Sequence, residues 1–247
     1  MKSEENVSPP FELLLKVFLP FAGGYYLSYL YRTVNAIISP DLVREFGLGP
    51  DDLGLLTSSY FLTFALFQLP LGILLDRYGP RRVNAGLLML AGIGAALFGL
   101  SQSLAGLIVA RALIGLGVSG CLMSSMKVFT LWFPLNRLAT LNGWLLSFGG
   151  LGALSASVPA EELLRVTDWH SLFLLLAALT FAAAGAIFLI VPERAAPRAP
   201  QSLIESLRSL PPILRNANFW KLGLLAIAGQ GVFMSLQSLW IAPWLKD

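Results

Sequence analysis

The chain alternates between long uncharged stretches and short charged ones. Residues 53–75, 83–110, 138–160, 169–192 and 222–245 contain no Asp, Glu, Lys or Arg. A helix crossing the hydrocarbon layer needs about 20 apolar residues, and each window is at least that long. Backbone groups facing lipid must be satisfied within their own segment, so each window reads as helical. Turn residues set the expected boundaries. Helix 1 runs over about 11–39 and is stopped by a loop from Pro40 to Asp52. Asp51 and Asp52 cap helix 2, which reaches Leu75, and 76–82 form a tight turn. Helix 3 ends near Leu100, and helix 4 runs from Ser103 to about Trp132. Helix 5 ends near Pro159, helix 6 spans Trp169 to Val191, and helix 7 spans Phe219 to Leu245. The pattern divides the chain into a tail (1–10), a six-helix bundle (11–191), a proline-rich linker (192–217) and a seventh membrane helix (218–247).

Composition excludes a soluble domain. The chain is 56% hydrophobic and 13% charged, with mean hydropathy +0.71, against about 25% charged residues in soluble proteins. The sequence pI near 9.2 would suggest a nucleic-acid partner in a soluble protein. Here the basic residues sit in short inter-helix segments, so no such partner is expected. With the N-terminus inside, twelve Lys and Arg fall on cytoplasmic segments and three, Arg44, Arg165 and Lys246, fall outside. That asymmetry predicts a multi-pass protein of the cell (inner) membrane with a cytoplasmic N-terminus. Residues 1–10 carry Glu4 and Glu5 and lack the features of a secretory signal. The single cysteine, Cys121, excludes an intrachain disulfide.

Polar residues inside the apolar windows are the candidate chemistry. On helix 1, Ser28, Arg32, Asn35 and Ser39 recur at spacings of four, three and four, with Tyr25 and Tyr29 on nearly the same stripe. An arginine in a membrane helix is costly unless it faces protein or water, so it marks a substrate path by default. The alternative is that Arg32 snorkels outward or bonds structural carbonyls. Arg111 on helix 4 is the second such residue; both lie roughly 10–14 Å from the outer helix ends at 1.5 Å per residue. No Asp or Glu is expected inside the helices to neutralise either, which predicts an anion-preferring cavity. Gln68, Asn142 and Trp144 are further cavity candidates, although polar groups also bond neighbouring helices. Trp132, Trp169, Trp220, Trp240 and Trp244 lie at helix ends and read as interfacial anchors. His170 lies at an outer helix end and reads as structural; Lys127 is expected to snorkel to the cytosol. No metal-ligand cluster, cofactor motif or catalytic constellation is present, so an enzyme is not expected.

The stretch from Gly72 through Asp76, Arg77 and Gly79 to Arg81 and Arg82 resembles the signature loop of the major facilitator superfamily, with Pro80 where a basic residue is usual. Arg111 followed by Gly115 and Gly117 is similar to helix 4 of that family. Helix 5 has Gly149, Gly150 and Gly152 but lacks the Gly-Pro pair of antiporters, which disfavours a drug exporter. The run Gly24 to Asn35, with Asp168-Trp169-His170, resembles the organophosphate:phosphate antiporter branch, whose helix-1 arginine binds the anion. That branch uses a second arginine on helix 7; here Ser235, Gln237 and Ser238 occupy the stretch, so a phosphate clamp is not expected.

The resemblance implies an all-α membrane protein, with a six-helix bundle of two inverted three-helix repeats plus a seventh transmembrane helix. It implies secondary active transport of a small organic solute, an anion by the arginines, through alternating access. It assigns gating to Gly72, Asp76, Arg77, Gly79, Arg81 and Arg82, with Asp76 pairing across a bundle interface. Substrate contact falls to Arg32, Tyr29, Tyr25, Asn35, Arg111, Gln68, Asn142 and Trp144. The lipid bilayer is the surrounding partner, and no coupling ion is named by any residue. The expected carrier is incomplete without a C-terminal half chain or a second copy. The competing readings are a truncated, non-transporting fragment and a drug or metabolite efflux carrier.

Overall fold

The computed structural model describes residues 11–194 and 215–235, with side chains to 229. The chain forms two compact units, Met1–Ala199 and Pro200–Asp247, and every described element is helical. In the first unit α1 spans Phe11–Phe46 and opens with a π-helical turn at Leu14–Phe18. Then come α2 (Pro50–Leu66), α3 (Gln68–Gly99), α4 (Leu104–Val118), α5 (Cys121–Trp132), α6 (Leu135–Ser155), α7 (Val158–Leu164) and α8 (Trp169–Ile190). In the second unit α9 spans Ala217–Ser235, entered from Asn216, whose side-chain oxygen accepts the Asn218 N–H at 2.9 Å. The tail, the linker interior and the distal half of the expected helix 7 lie outside the described residues. Four of the described helices (α1, α3, the α4–α5 pair and α8) are long and apolar enough to cross a membrane. The 21 residues of α6 give about 30 Å of helix, also the thickness of the hydrocarbon layer.

The boundaries follow from local chemistry, and three differ from expectation. α1 does not stop at Pro40 but continues to Phe46. Proline removes the N–H that would have bonded the Ala36 carbonyl, and the Ser39 hydroxyl donates to that carbonyl instead at 2.9 Å. Gly47 ends the helix in the left-handed conformation (φ 65°), its N–H bonded to Val43 O at 2.9 Å. The next helix starts with Pro50 in its first turn, while Asp52 accepts the Gly49 N–H at 2.9 Å. The turn expected over 76–82 shrinks to Gly79 (φ 78°, ψ 158°), with helix on both sides. Helix 5 stops at Ser155 rather than Pro159. Pro159 lies in the first turn of the short α7 instead, where its missing N–H is harmless.

Two long rods are interrupted. Phe67 separates α2 from the arm of α3 before Gly79, and Ser119–Gly120 separates α4 from α5. The interruptions are neighbours: Gln68 Nε2 donates to Ser119 O at 3.2 Å.

The packing shows the inverted repeat. α1 packs on α6 as α4 packs on α2, the second arm of α3 packs on α8, and α3 meets α4 as α8 meets α1. Exchanging the first three membrane helices for the next three maps these pairs onto each other. Glycine makes both cross-repeat contacts close. A Cβ on Gly115 would stand 2.2 Å from Tyr60 O, and one on Gly152 would stand 2.2 Å from Tyr26 O. Backbones this near exclude any side chain, and small residues are how membrane helices gain contact where apolar burial gives no advantage over lipid.

Gly115→Ala and Gly152→Ala should each destabilise the bundle by about 1–3 kcal/mol through overpacking. Their effects should be nearly additive, because the contacts share no partner. Thermal unfolding of the detergent-solubilised chain measures both.

Candidate functional site

The helix-1 stripe divides into a sealed end and an open end. At the sealed end Arg111 is 2% exposed. Its Nη1 donates to Tyr31 O at 3.1 Å and its Nη2 to Asn35 Oδ1. Its guanidinium carbon stands 4.9 Å from the Phe98 ring centre and 5.6 Å from that of Phe173. One side chain thereby touches the first, third, fourth and sixth membrane helices. Tyr31 extends the contact, its hydroxyl 2.8 Å from Thr180 Oγ1 on α8. Asn35 is committed on both sides, since its Nδ2 donates to Thr57 Oγ1 at 3.4 Å. No ion pair among the described residues includes Arg111 or Arg32.

At the open end Arg32 is half-buried, and its Nε, like that of Arg111, has no hydrogen-bond partner among the described residues. Its guanidinium carbon lies 4.8 Å from the Tyr29 ring centre, 5.4 Å from that of Phe64 and 6.0 Å from that of Phe61. Tyr29 in turn packs edge-on to the buried Tyr25, with centroids 5.1 Å apart. Gly149 on α6 makes room for that pair: a Cβ there would stand 2.7 Å from Tyr25 Cε1 and 3.0 Å from Tyr29 Cδ2. The ring faces supply negative quadrupole density but no formal charge. The side chain of Tyr60 also hydrogen-bonds Arg32, so the cation is stabilised in place without a formal counter-charge among the described residues.

The remaining candidates are scattered. Gln68 spends its amide on Ser119 O and, at 3.4 Å, on Phe64 O. Asn142 Oδ1 is buried and unpartnered. Trp144 is 47% exposed and meets the Phe18 ring edge-on at 6.0 Å. The structure thus gathers Tyr25, Tyr29 and Arg32, places Asn35 with Arg111, and leaves Gln68 at the interruption. Sequence reasoning missed Phe61 and Phe64, which form the far wall. Their signal was an aromatic pair at a spacing of three in an uncharged window.

The signature loop is tied to its own bundle. Asp76, itself 71% exposed, pairs with Lys127 of α5, which is 22% exposed. Arg81 Nε donates to Phe188 O at 2.9 Å, and Arg82 meets Glu193 at 2.6 Å. Arg77 lies over the Tyr78 ring at 5.3 Å. Gly72 has nothing within 4 Å of an added Cβ, so no described helix presses on it. At the other end of the bundle, Asp41, Glu45, Asp168 and His170 line a cavity of about 440 Å³. Trp169 does not anchor at an interface; it is 3% exposed and donates to Glu45 Oε2 at 2.8 Å. His170 Nε2 stands 3.5 Å from Glu45 Oε1. Asp168 caps α8 by accepting the Ser171 N–H at 2.7 Å, which holds its carboxyl below the usual value of 3.8.

A model of the Major Facilitator Superfamily matches residues 21–247. The chain belongs to that superfamily. Its membership makes it a multi-pass membrane protein of a transporter family, not an enzyme. Among major facilitator proteins, it is 27% identical over 156 residues to the probable sulfoacetate transporter SauU of Cupriavidus necator, covering 63% of this chain and 36% of that one. It is 28% identical over 152 residues to the niacin transporter NiaP of Acinetobacter baylyi, covering 62% and 35%. A bacterial homologue of the human lysosomal transporter Spinster, solved inward-facing and unoccupied, matches 94% of this chain and 56% of its own. The TM-score is 0.69 and the identity 20%, which shows a shared fold. The chain spans about a third of the length of the curated relatives it matches.

Arg111→Ala should destabilise the fold by at least ~3 kcal/mol, since it opens a cavity and takes the guanidinium donor from Asn35 Oδ1, while the Tyr31 carbonyl keeps only its helix bond. Arg32→Ala should shift the melting temperature by less than half as much; thermal melts compare the two. Asp168 has a depressed folded-state value, so its stabilising contribution is present above 3.8 and is lost as pH falls through the lower folded value. Asp168→Asn should therefore flatten the fall in melting temperature below that pH.

Proposed function

We propose that this chain supplies a substrate-binding bundle of a secondary transporter for small organic monoanions, with Arg32 receiving the anionic group. The observation that carries the reading is Arg32 itself: half-buried, walled by Tyr29, Phe61 and Phe64, and paired with no carboxylate among the described residues. Arg111 cannot join it, because its guanidinium is sealed among Tyr31, Asn35, Phe98 and Phe173. One available cation suits a single negative charge better than a phosphate dianion. The named substrates of the two relatives, sulfoacetate and niacin, are both small organic acids and support an acid here; niacin has the single carboxylate that one cation suits, whereas sulfoacetate is a dianion. Tyr25, Tyr29 and the two phenylalanines would enclose the organic body of the substrate.

Asp76, Arg77, Arg81 and Arg82 form the cytoplasmic gate in this reading, with Gly79 reversing the chain. The excess of Lys and Arg on that side supports a cytoplasmic N-terminus in the cell membrane. Substrate exchange by alternating access is the activity proposed for the carrier to which this bundle contributes.

Binding of radiolabelled nicotinate to the purified chain, with the dianion sulfoacetate as the comparison expected to bind more weakly, tests the assignment. Saturable binding should weaken at least tenfold in Arg32→Ala and recover in part in Arg32→Lys, with folding unchanged. Binding confined to cations or neutral solutes, and indifferent to Arg32→Ala, would sink the proposal.

A further inference from the structure

The seam between α1, α3 and α5 contains two polar side chains that the transport reading does not use. Asn84 on α3 and Ser124 on α5 are both 0% exposed. Asn84 Oδ1, Asn84 Nδ2 and Ser124 Oγ all lack a hydrogen-bond partner among the described residues. Three orphaned atoms in one seam are costly, at about 1–3 kcal/mol for each group left dry. Buried polar groups in native proteins are otherwise paired with protein or with ordered water.

The two residues converge on the interruption in the fourth membrane helix. Asn84 Oδ1 lies 3.5 Å from the position a Cβ would take on Gly120, and Asn84 Nδ2 lies 3.8 Å from that of Gly24 on α1. Ser124 is one turn below Gly120 and bonds it through the backbone, N to O, at 2.9 Å, so the two share a helix face. The Ser124 hydroxyl also departs from the local habit. Its neighbour Ser125 donates back to Cys121 O at 2.6 Å, and Thr130 to Lys127 O at 2.8 Å. Ser124 makes no such bond among the described residues. Around this seam the apolar core divides: Leu71, Leu75, Val83 and Leu87 form a cluster separate from the main one, which holds Ala85, Leu88, Cys121 and Ile187.

We infer that Asn84 and Ser124 bind internal water beside the Ser119–Gly120 interruption, bridging α3 to α5 inside the bundle. The amide offers one acceptor and two donors, and the hydroxyl offers both, which meets the two to four partners a buried water requires. The bound water replaces direct side-chain packing where the fourth membrane helix bends. It satisfies the orphaned atoms without fixing the two helices to each other.

Two measurements on the full chain in nanodiscs test this. Millisecond radiolytic hydroxyl labelling, with mass-spectrometric readout, reports side chains beside bound water even where bulk water cannot reach. Cys121 and Leu88, both 0% exposed, should be labelled in the wild type. Labelling should drop at least threefold in Asn84→Leu/Ser124→Ala. The second readout is the sign of the stability change. If water satisfies Ser124, Ser124→Ala removes hydrogen bonds and lowers the melting temperature by about 2–4 °C. A dry seam gives the opposite sign, because the substitution then deletes an unsatisfied group. Unlabelled Cys121 and Leu88 in the wild type, or a raised melting temperature in Ser124→Ala, overturns the inference. The wild-type labelling decides the matter even where the double variant does not fold.

Discussion

A guanidinium enclosed within a membrane bundle, with no carboxylate to neutralise it, constrains more of this structure than any other single group. Hydrocarbon cannot solvate Arg111, so protein must supply every acceptor near it. It takes a backbone carbonyl and an amide oxygen from α1 and two aromatic faces from α3 and α8. Those elements must come together around α4 for the arginine to be tolerated at all. Moving any one of them exposes the cation to lipid. The same demand fixes Asn35, which then reaches Thr57 on α2, so five of the six membrane helices meet around one enclosed charge.

Close backbone contact supplies the rest of the cohesion. Gly115 against Tyr60 and Gly152 against Tyr26 close the two equivalent interfaces between the repeats. In both, a glycine of the second repeat is pressed on a carbonyl of the first. Beyond the interruptions at Phe67 and Ser119–Gly120, ion pairs join the apolar packing at the helix ends. The arm of α3 before Gly79 and α5 are joined by Asp76 and Lys127, and the start of the second arm is tied to the end of α8 by Arg81 and Arg82. Ion pairs at a wet helix end are weak and salt-sensitive compared with buried packing. The bundle is thus firm where Arg111 lies and more easily loosened at the signature loop, a distribution suited to a gate.

In the proposed reading these features have a common purpose. The interior holds Arg32 in an aromatic setting. The looser end can change its pairings without disturbing that setting. Arg32 and Arg111 look alike in a sequence, yet one is committed to structure and the other remains open.

The sequence by itself determined the membrane class, the number and order of helices within the bundle, and the signature loop. Each rests on composition within one segment: hydropathy sets a span, a lone Gly79 sets a reversal, and charge spacing sets the loop. It also placed Arg32 and Asn35 on one stripe, because a helical period is local. Tertiary structure alone decided which arginine is spent, since Phe98, Phe173 and Tyr31 come from elements distant in the chain. It decided that Ser39 carries α1 through Pro40, where the proline had read as a stop. It decided too that Asp76 meets Lys127 inside its own bundle, 51 residues away, a pairing no spacing rule contains. The division is physical: periodicity and hydropathy act within a segment, whereas the satisfaction of a buried polar group depends on whatever the fold brings beside it.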